Sequence, residues 1–117
     1  MTEFDSLMTD FYQKHKKYHC LQSFNLHRDL SGLGDPEYTL EVILCDYPCY
    51  EGDQKFRITF GGVRDIKVGY LEGMFALYFN IYDVRDHQLQ GIKYRVAEEE
   101  EAMFSFYCES FEYEIIE

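Results

Sequence analysis

The spacing of apolar residues changes once along this chain, and that change dictates the order of its elements. Phe4, Leu7, Met8, Phe11 and Tyr12 recur at i, i+3, i+4, i+7 and i+8, which places them on one stripe of an α-helix. Thr2 stands three residues before Asp5, a capping-box arrangement with Asp in the usual Glu position, and Lys14, Lys16 and Lys17 crowd the far end, where the helix dipole favours cations. A helix over about 3–17 is predicted. The lysines also form a small basic patch, but a cationic last turn accounts for them without a bound anion.

After the helix the period is two. Cys20 to Arg28, Glu37 to Asp46 and Lys55 to Gly61 alternate, with Phe24 and Leu26, then Tyr38, Leu40, Val42 and Leu44, then Phe56, Ile58 and Phe60 on one side of each strand. Leu30 to Pro36 and Tyr47 to Asp53 carry the Gly, Pro, Asp and Ser of turns, and Gly61-Gly62 is read as the end of the third strand. Met74 to Val84 is apolar at nearly every position up to Asn80, which predicts a strand covered on both faces and central in the sheet. Gly91 to Glu98 alternates Ile92, Tyr94 and Val96 with Lys93 and Arg95, so it has one wet face. The intervening polar residues, including His87, Gln88 and Gln90, read as a hairpin loop.

The last segment changes phase. Phe104, Phe106 and Cys108 are even-numbered, whereas Phe111, Tyr113 and Ile115 are odd, so a β-bulge or bend near Glu109-Ser110 is expected to keep all six on one side, the alternative being a straight strand apolar on both faces. These elements predict an α+β domain in which an N-terminal amphipathic helix packs on an antiparallel sheet of about six strands. A two-sheet β-sandwich with an added helix is the alternative if Met74 to Val84 is covered on both faces. At 117 residues the chain fits one domain over 1–117.

Charge narrows the partners. Twenty-two acidic against eleven basic residues give a net charge of −11, which disfavours nucleic acid and anionic lipid and favours a basic protein. Met1 to Asp10 has no signal-like apolar run, and no window approaches the ~18 apolar residues of a membrane span. A cytosolic location is therefore expected. In a reducing compartment the irregularly spaced Cys20, Cys45, Cys49 and Cys108 read as buried or idle thiols.

Short patterns for catalysis or metal binding fail on context. His27-Arg28-Asp29-Leu30 has the opening letters of a kinase catalytic loop, but Gly34 occupies the place of the required Asn. Gly32-Leu33-Gly34 lacks the third glycine of a dinucleotide turn, and no Lys-Ser or Lys-Thr follows Gly61-Gly62. His15 and His19 would share a helix face beside Cys20, and Cys45 lies four before Cys49, yet no second pair stands at zinc-ribbon spacing. These residues are read as surface histidines and unligated cysteines. No catalytic residue, metal or cofactor is assigned.

From Glu98 to Glu117 there are eight glutamates and no Lys or Arg, interleaved with aromatic and β-branched residues. That apolar content lets the segment fold as a strand and hold its carboxylates on a fixed surface. Glu98, Glu99, Glu100, Glu101, Glu109, Glu112 and Glu114 are the candidate steering residues, with Phe111 and Tyr113 as candidate anchors of a protein partner. A solvated turn is the plain alternative for Glu98 to Glu101.

The series SFNLHRD, TLEVILCDYP, FRITFGGVRDIKVGY and IKYRVAEEEEAMFSFYCESFEYE resembles small acidic immunity proteins of bacterial polymorphic toxin systems. The likeness is strongest in Phe60 to Asp65 and in Phe104 to Glu112, and it covers residue 18 to the end loosely; the N-terminal helix lies outside it. The resemblance implies a non-catalytic protein that neutralises a cognate, basic toxin domain by binding it. Two other classes remain: a homo-oligomeric structural module using the C-terminal strand as a self-complementary edge, and a small ligand binder or enzyme without a recognisable motif.

Overall fold

The structure, a computed structural model, describes residues 3–28, 37–69, 76–87, 92–98 and 104–117. Helix α1 (Glu3–Lys17) precedes β1 (Cys20–Arg28), β2 (Tyr38–Cys45), β3 (Lys55–Val68), β4 (Phe79–Asp83), β5 (Tyr94–Glu98), β6 (Phe104–Cys108) and β7 (Ser110–Ile116), with a short 3-10 turn (Arg85–His87) after β4. All strand pairs are antiparallel, in the order β1-β2-β3-β6-β5-β4, and β7 lies beside β3. The helix packs on this open sheet, so the fold is α+β. The sandwich alternative does not form. Thr2, the turn expected over 30–36, the expected loop residues Gln88 and Gln90, and Glu99 to Glu101 lie outside the described residues.

Two expectations about strands change. Gly61-Gly62 does not end β3: the strand continues to Val68, its first half pairing with β2 and β7 and its second half with β6. The Met74 to Val84 run is not a central strand either. Met74 and Phe75 lie outside the described residues, and of residues 76–84 only Phe79–Asp83 forms a strand, β4, at the end of the sheet order, with Leu77, Phe79 and Ile81 buried while Tyr78 and Tyr82 are exposed. One face is wet because the apolar character of that run came partly from tyrosines, whose rings tolerate an exposed face.

The sheet curls around its own core. An isolated bridge joins Cys20 at the start of β1 to Ala76 just before β4, and the Leu77 amide donates to the His19 carbonyl at 2.7 Å. The first and last strands of the order are thereby drawn together. Phe24 of β1 meets Phe104 of β6 edge-on at 5.4 Å, and Phe60 of β3 meets Phe79 of β4 at 6.1 Å. Fully buried phenylalanines from β3, β4, β6 and the helix fill the interior.

Met8 and Phe11 of α1 are buried, with Phe4 and Tyr12 at the margin of the core, as the helical stripe requires. Leu7 is left exposed. Phe11 lies 5.5 Å from Phe56, 6.0 Å from Phe79 and 5.3 Å from Tyr113, so it contacts three strands at once. The stripe extends one turn further than the apolar residues indicate. His15, expected on the surface, is 3% exposed because it stands four residues after Phe11 on the same face.

That histidine is held by two hydrogen bonds: Nδ1 donates to the Tyr18 carbonyl and Nε2 accepts from the Phe79 amide, each at 3.1 Å. Those partners define a neutral ring with its proton on Nδ1. Burial lowers its pKa below the ordinary 6.5, opposed by the Tyr18 carbonyl and reinforced by the nearby His19. Protonation would also set a second N–H against the Phe79 donor.

The folded state thus binds fewer protons than the unfolded chain just below pH 6.5. Stability is complete above that value and falls as the pH drops through it toward the lowered folded pKa. Melting temperature measured between pH 8 and pH 5 should show this slope, and His15→Gln should flatten it. His15→Ala leaves a buried donor and a buried acceptor unpaired and should cost about 2–4 kcal/mol in denaturant unfolding.

Candidate partner-binding surface

Strand alternation sorts the C-terminal residues onto two faces. Glu112 and Glu114 are exposed, while Phe111, Tyr113 and Ile115 turn inward and pack against the core. Phe111 lies 6.3 Å from Phe11 and 5.0 Å from Tyr94; Tyr113 meets Phe56 edge-on at 5.6 Å. The two aromatics expected to anchor a partner beside the carboxylates therefore face the helix side instead. In a strand, residues i and i+1 cannot share a face.

Tyr113 also fastens the strand to α1. Its hydroxyl donates to the Asp10 carboxylate at 2.7 Å and approaches the Leu7 carbonyl at 3.3 Å. Burial and then the Asp10 carboxylate push its pKa up to about 12, while hydrogen bonds from Lys14 and Tyr113 hold Asp10 below the usual carboxylate value. Glu112 and Glu114 consequently project from ordered β-structure.

Register assembles the outer face. Asn25, Glu41, Thr59 and Glu112 stand opposite one another across β1, β2, β3 and β7, and Ile43, Arg57 and Glu114 form the adjoining row. Arg57 is ion-paired with Glu114. A depression of about 120 Å³ on this face is lined by Arg57, Thr59, Glu112, Tyr113 and Glu114. That is too small for an ordinary small-molecule site, which needs roughly 300 Å³ or more.

A second acidic point lies at the bend. Glu109 separates β6 from β7 and its amide donates to the Gly61 carbonyl at 2.9 Å. The register of β3 against β2 slips at the same level, leaving Gly62 as the extra residue between Gly61 and Val63. Gly62 adopts φ +64°, and a Cβ there would stand 2.9 Å from the Glu109 Cβ and 3.3 and 3.4 Å from the Oε2 atoms of Glu109 and Glu37. The Glu37 and Glu109 carboxylates thus converge over a glycine.

Glu112 and Glu114 are alternate outward residues of β7 and Glu109 precedes that strand at the bend, whereas Glu98 lies on β5, on the other side of the bend. Because Ala97 stands opposite Ser105, Glu98 is level with the far end of β6, about 16 Å along the strand from Glu109 at ~3.3 Å per residue. Sequence reasoning missed Glu37 and Glu41, which reach this surface only through β2–β3–β7 adjacency. Alternation within Glu37 to Asp46 marked Glu41 as outward, but not its neighbours.

Cysteine and histidine chemistry takes a different course from the one expected. Cys45 and Cys49 form a disulfide across the turn at Asp46–Pro48, with Cα atoms 5.6 Å apart, within the usual bridging range. Cys20 and Cys108 are free and buried. Burial alone pushes the Cys108 thiol up to about 12, so it stays protonated at neutral pH. Both His15 nitrogens are used by backbone groups, and among the described residues no three His, Cys, Asp or Glu side chains gather as metal ligands. No helix among them is long and apolar enough to cross a membrane.

The small α+β fold thus carries an ordered set of outward carboxylates on β7 and at its bend, an arrangement suited to binding. The family comparison makes this specific: the model of the family described as Immunity protein PIM8 matches residues 3–114, and the chain belongs to that family. No curated protein and no solved structure matches it. Membership supports a non-catalytic immunity role and implies a protein partner, a cognate toxin.

Gly62 is the position on which the acidic bend depends. Gly62→Ala should destabilise the fold by about 1–3 kcal/mol in urea unfolding, since it adds a left-handed backbone penalty to a close Cβ contact. A double-mutant cycle with Glu109→Gly should show coupling between the two positions, whereas additive losses would separate them.

Proposed function

We propose that this protein neutralises its cognate toxin by docking the acidic outer face of β7, β3 and β2 on a basic surface of the toxin domain. The observation that carries the reading is the display of Glu112 and Glu114 on ordered β7, continued by Glu109 and Glu37 at the bend and Glu41 on β2. Carboxylates fixed in one array focus an attractive field, whereas a disordered acidic tail would pay the cost of ordering on binding. Glu109, Glu112 and Glu114 act mainly on encounter. Phe111 and Tyr113 contribute by holding the strand in place, and Glu98 to Glu101 add to the negative charge that attracts the partner. Occlusion of the toxin active site or of an adjoining surface would complete neutralisation in the producing cell.

A self-associating module is the second reading, favoured by one feature: among the described residues β7 pairs with β3 alone, which leaves a strand edge open to another chain. Sedimentation at low and high salt separates the two. Acidic edges meeting their own copies should associate better as salt screens them, while capture of a basic toxin should weaken.

Toxin domains encoded in neighbouring genes supply the direct test, by growth rescue on co-expression and by stopped-flow binding. Combined reversal of Glu109, Glu112 and Glu114 to lysine should slow association tenfold or more, and raised salt should slow the wild-type chain in the same way. An association rate unchanged by the triple reversal removes this face from the interface.

A further inference from the structure

Beyond the Gly61-Gly62 bend the outer face of the sheet changes character. Arg64 of β3 stands opposite Tyr107 of β6, Tyr107 opposite Arg95 of β5, and Arg95 opposite Tyr82 of β4. Cation and ring alternate across four strands. At ~4.8 Å between strands the row is about 14 Å long, with the two arginines about 10 Å apart. Tyr107, Arg95 and Tyr82 alternate with the buried inward residues Phe106, Cys108, Val96 and Ile81, and Arg64 follows the buried Val63. Arg64 and Tyr82 are exposed and Arg95 and Tyr107 half-buried, and the Arg95 guanidinium lies 5.7 Å from the Tyr82 ring centre. Beside the row is a groove of about 450 Å³ whose lining includes Asp65, Lys67, Arg95, Ser105 and Tyr107.

Three cations gathered on one face of a chain with net charge −11 call for a reason. The ion pairs among the described residues are Lys14–Asp10, Arg57–Glu114 and Arg85–Asp83, so Arg64, Lys67 and Arg95 have no such partner there. Cross-strand Arg–Tyr pairs add only ~0.2–1 kcal/mol each to a sheet, which is a small return for leaving large rings in water. Arginine and tyrosine are, by contrast, the residue types that carry most energy at protein interfaces.

We propose that the Arg64–Tyr107–Arg95–Tyr82 stripe is a second docking surface, which takes an acidic segment of the same toxin partner. This rests on the immunity reading and extends it: the partner presents a basic surface to β7 and a carboxylate-bearing segment to the stripe. Charge complementarity selects that occupant. A nucleic-acid strand would meet three cations, with Asp65 beside them, on a protein whose overall field repels phosphates. The two faces lie on either side of the glycine bend, so a partner must match both signs in one orientation.

The test uses the full chain and the toxin domain with which it rescues growth. Titration calorimetry of Arg64→Glu/Arg95→Glu should give a Kd raised about 30-fold or more, the loss typical of an interfacial hot spot. Arg64→Ala/Arg95→Ala, which introduces no new charge, should give a smaller loss in the same direction and keeps the test open if the reversed chain melts early. Wild-type binding with both doubles within twofold of it overturns the stripe and leaves the immunity reading standing. Failure of the wild-type chain to bind any neighbouring toxin domain overturns the immunity reading, and this proposal with it. A dT12 oligonucleotide bound by the wild-type chain and lost in the doubles would assign the face to nucleic acid, and a wild-type dimer that the doubles dissolve would assign it to a second copy; either result overturns the proposal.

Discussion

The helix is locked to the sheet by a match between two periods. Strand amides two residues apart point the same way, and Leu77, Phe79 and Ile81 direct theirs away from β5 toward the chain around α1. The His19 carbonyl, the His15 Nε2 and the Tyr12 hydroxyl receive them at 2.7, 3.1 and 3.0 Å. Residues 12, 15 and 19 are spaced at i, i+3 and i+7, the rows by which a helix presents one face, here continued just past its end. A free strand edge is an aggregation hazard that proteins cover with a helix or loop, and here the covering elements also supply the acceptors. Phe11, on the same face as His15, then reaches the core. Replacing His15 by a larger apolar residue would keep the burial and lose the acceptor, so hydrophobicity alone cannot hold β4 in this place.

The second constraint is the bend shared by neighbouring strands. On β3 the buried set changes from Phe56, Ile58 and Phe60 to Val63, and on the facing chain from Cys108 to Phe111. Each strand adjusts its phase at the same level, Gly62 in one and Glu109 in the other. A bulge in a single strand would have turned one partner inside out relative to its neighbour. Paired adjustments keep both apolar sets inward while the sheet curls, and the absence of a side chain at Gly61 admits Ser110, whose Oγ would lie 2.8 Å from an added Cβ. The same curl gives the outer surface two sectors of different charge.

Much of this was legible in the sequence. The helix limits, β1 and the interruption at Glu109 follow from local spacing, which is where periodicity is informative. The length of β3 was not, because Gly-Gly is a strand terminator in isolation and a bend only when strands on both sides supply hydrogen bonds. Nor was the edge position of β4, since tyrosine counts as apolar in a pattern yet sits well at a wet face. His15 was misread because a buried histidine depends on partners 64 residues away, such as the Phe79 amide. On the candidate surface, the exposure of Glu112 and Glu114 came from alternation. The joining of Glu37 and Glu41 to them, and the line from Arg64 to Tyr82, are properties of register that no single strand encodes.

Segregated charge also bears on why such a chain would favour a foreign partner over its own copies. Acidic and basic sectors are complementary in principle, so one copy could lay its β7 face on the stripe of the next. That contact is heterologous, and a heterologous contact closes only if its rotation completes a ring; otherwise it propagates. Each added copy would bring a further net charge of −11 against only the few cations of the stripe, so long-range repulsion grows with every step. A partner with net positive charge reverses that balance while still offering a local acidic segment to Arg64 and Arg95. On the proposed reading the excess of carboxylates would act as a bias against self-assembly as well as an attraction to a basic toxin, and the small basic sector would orient the complex without creating a polymer.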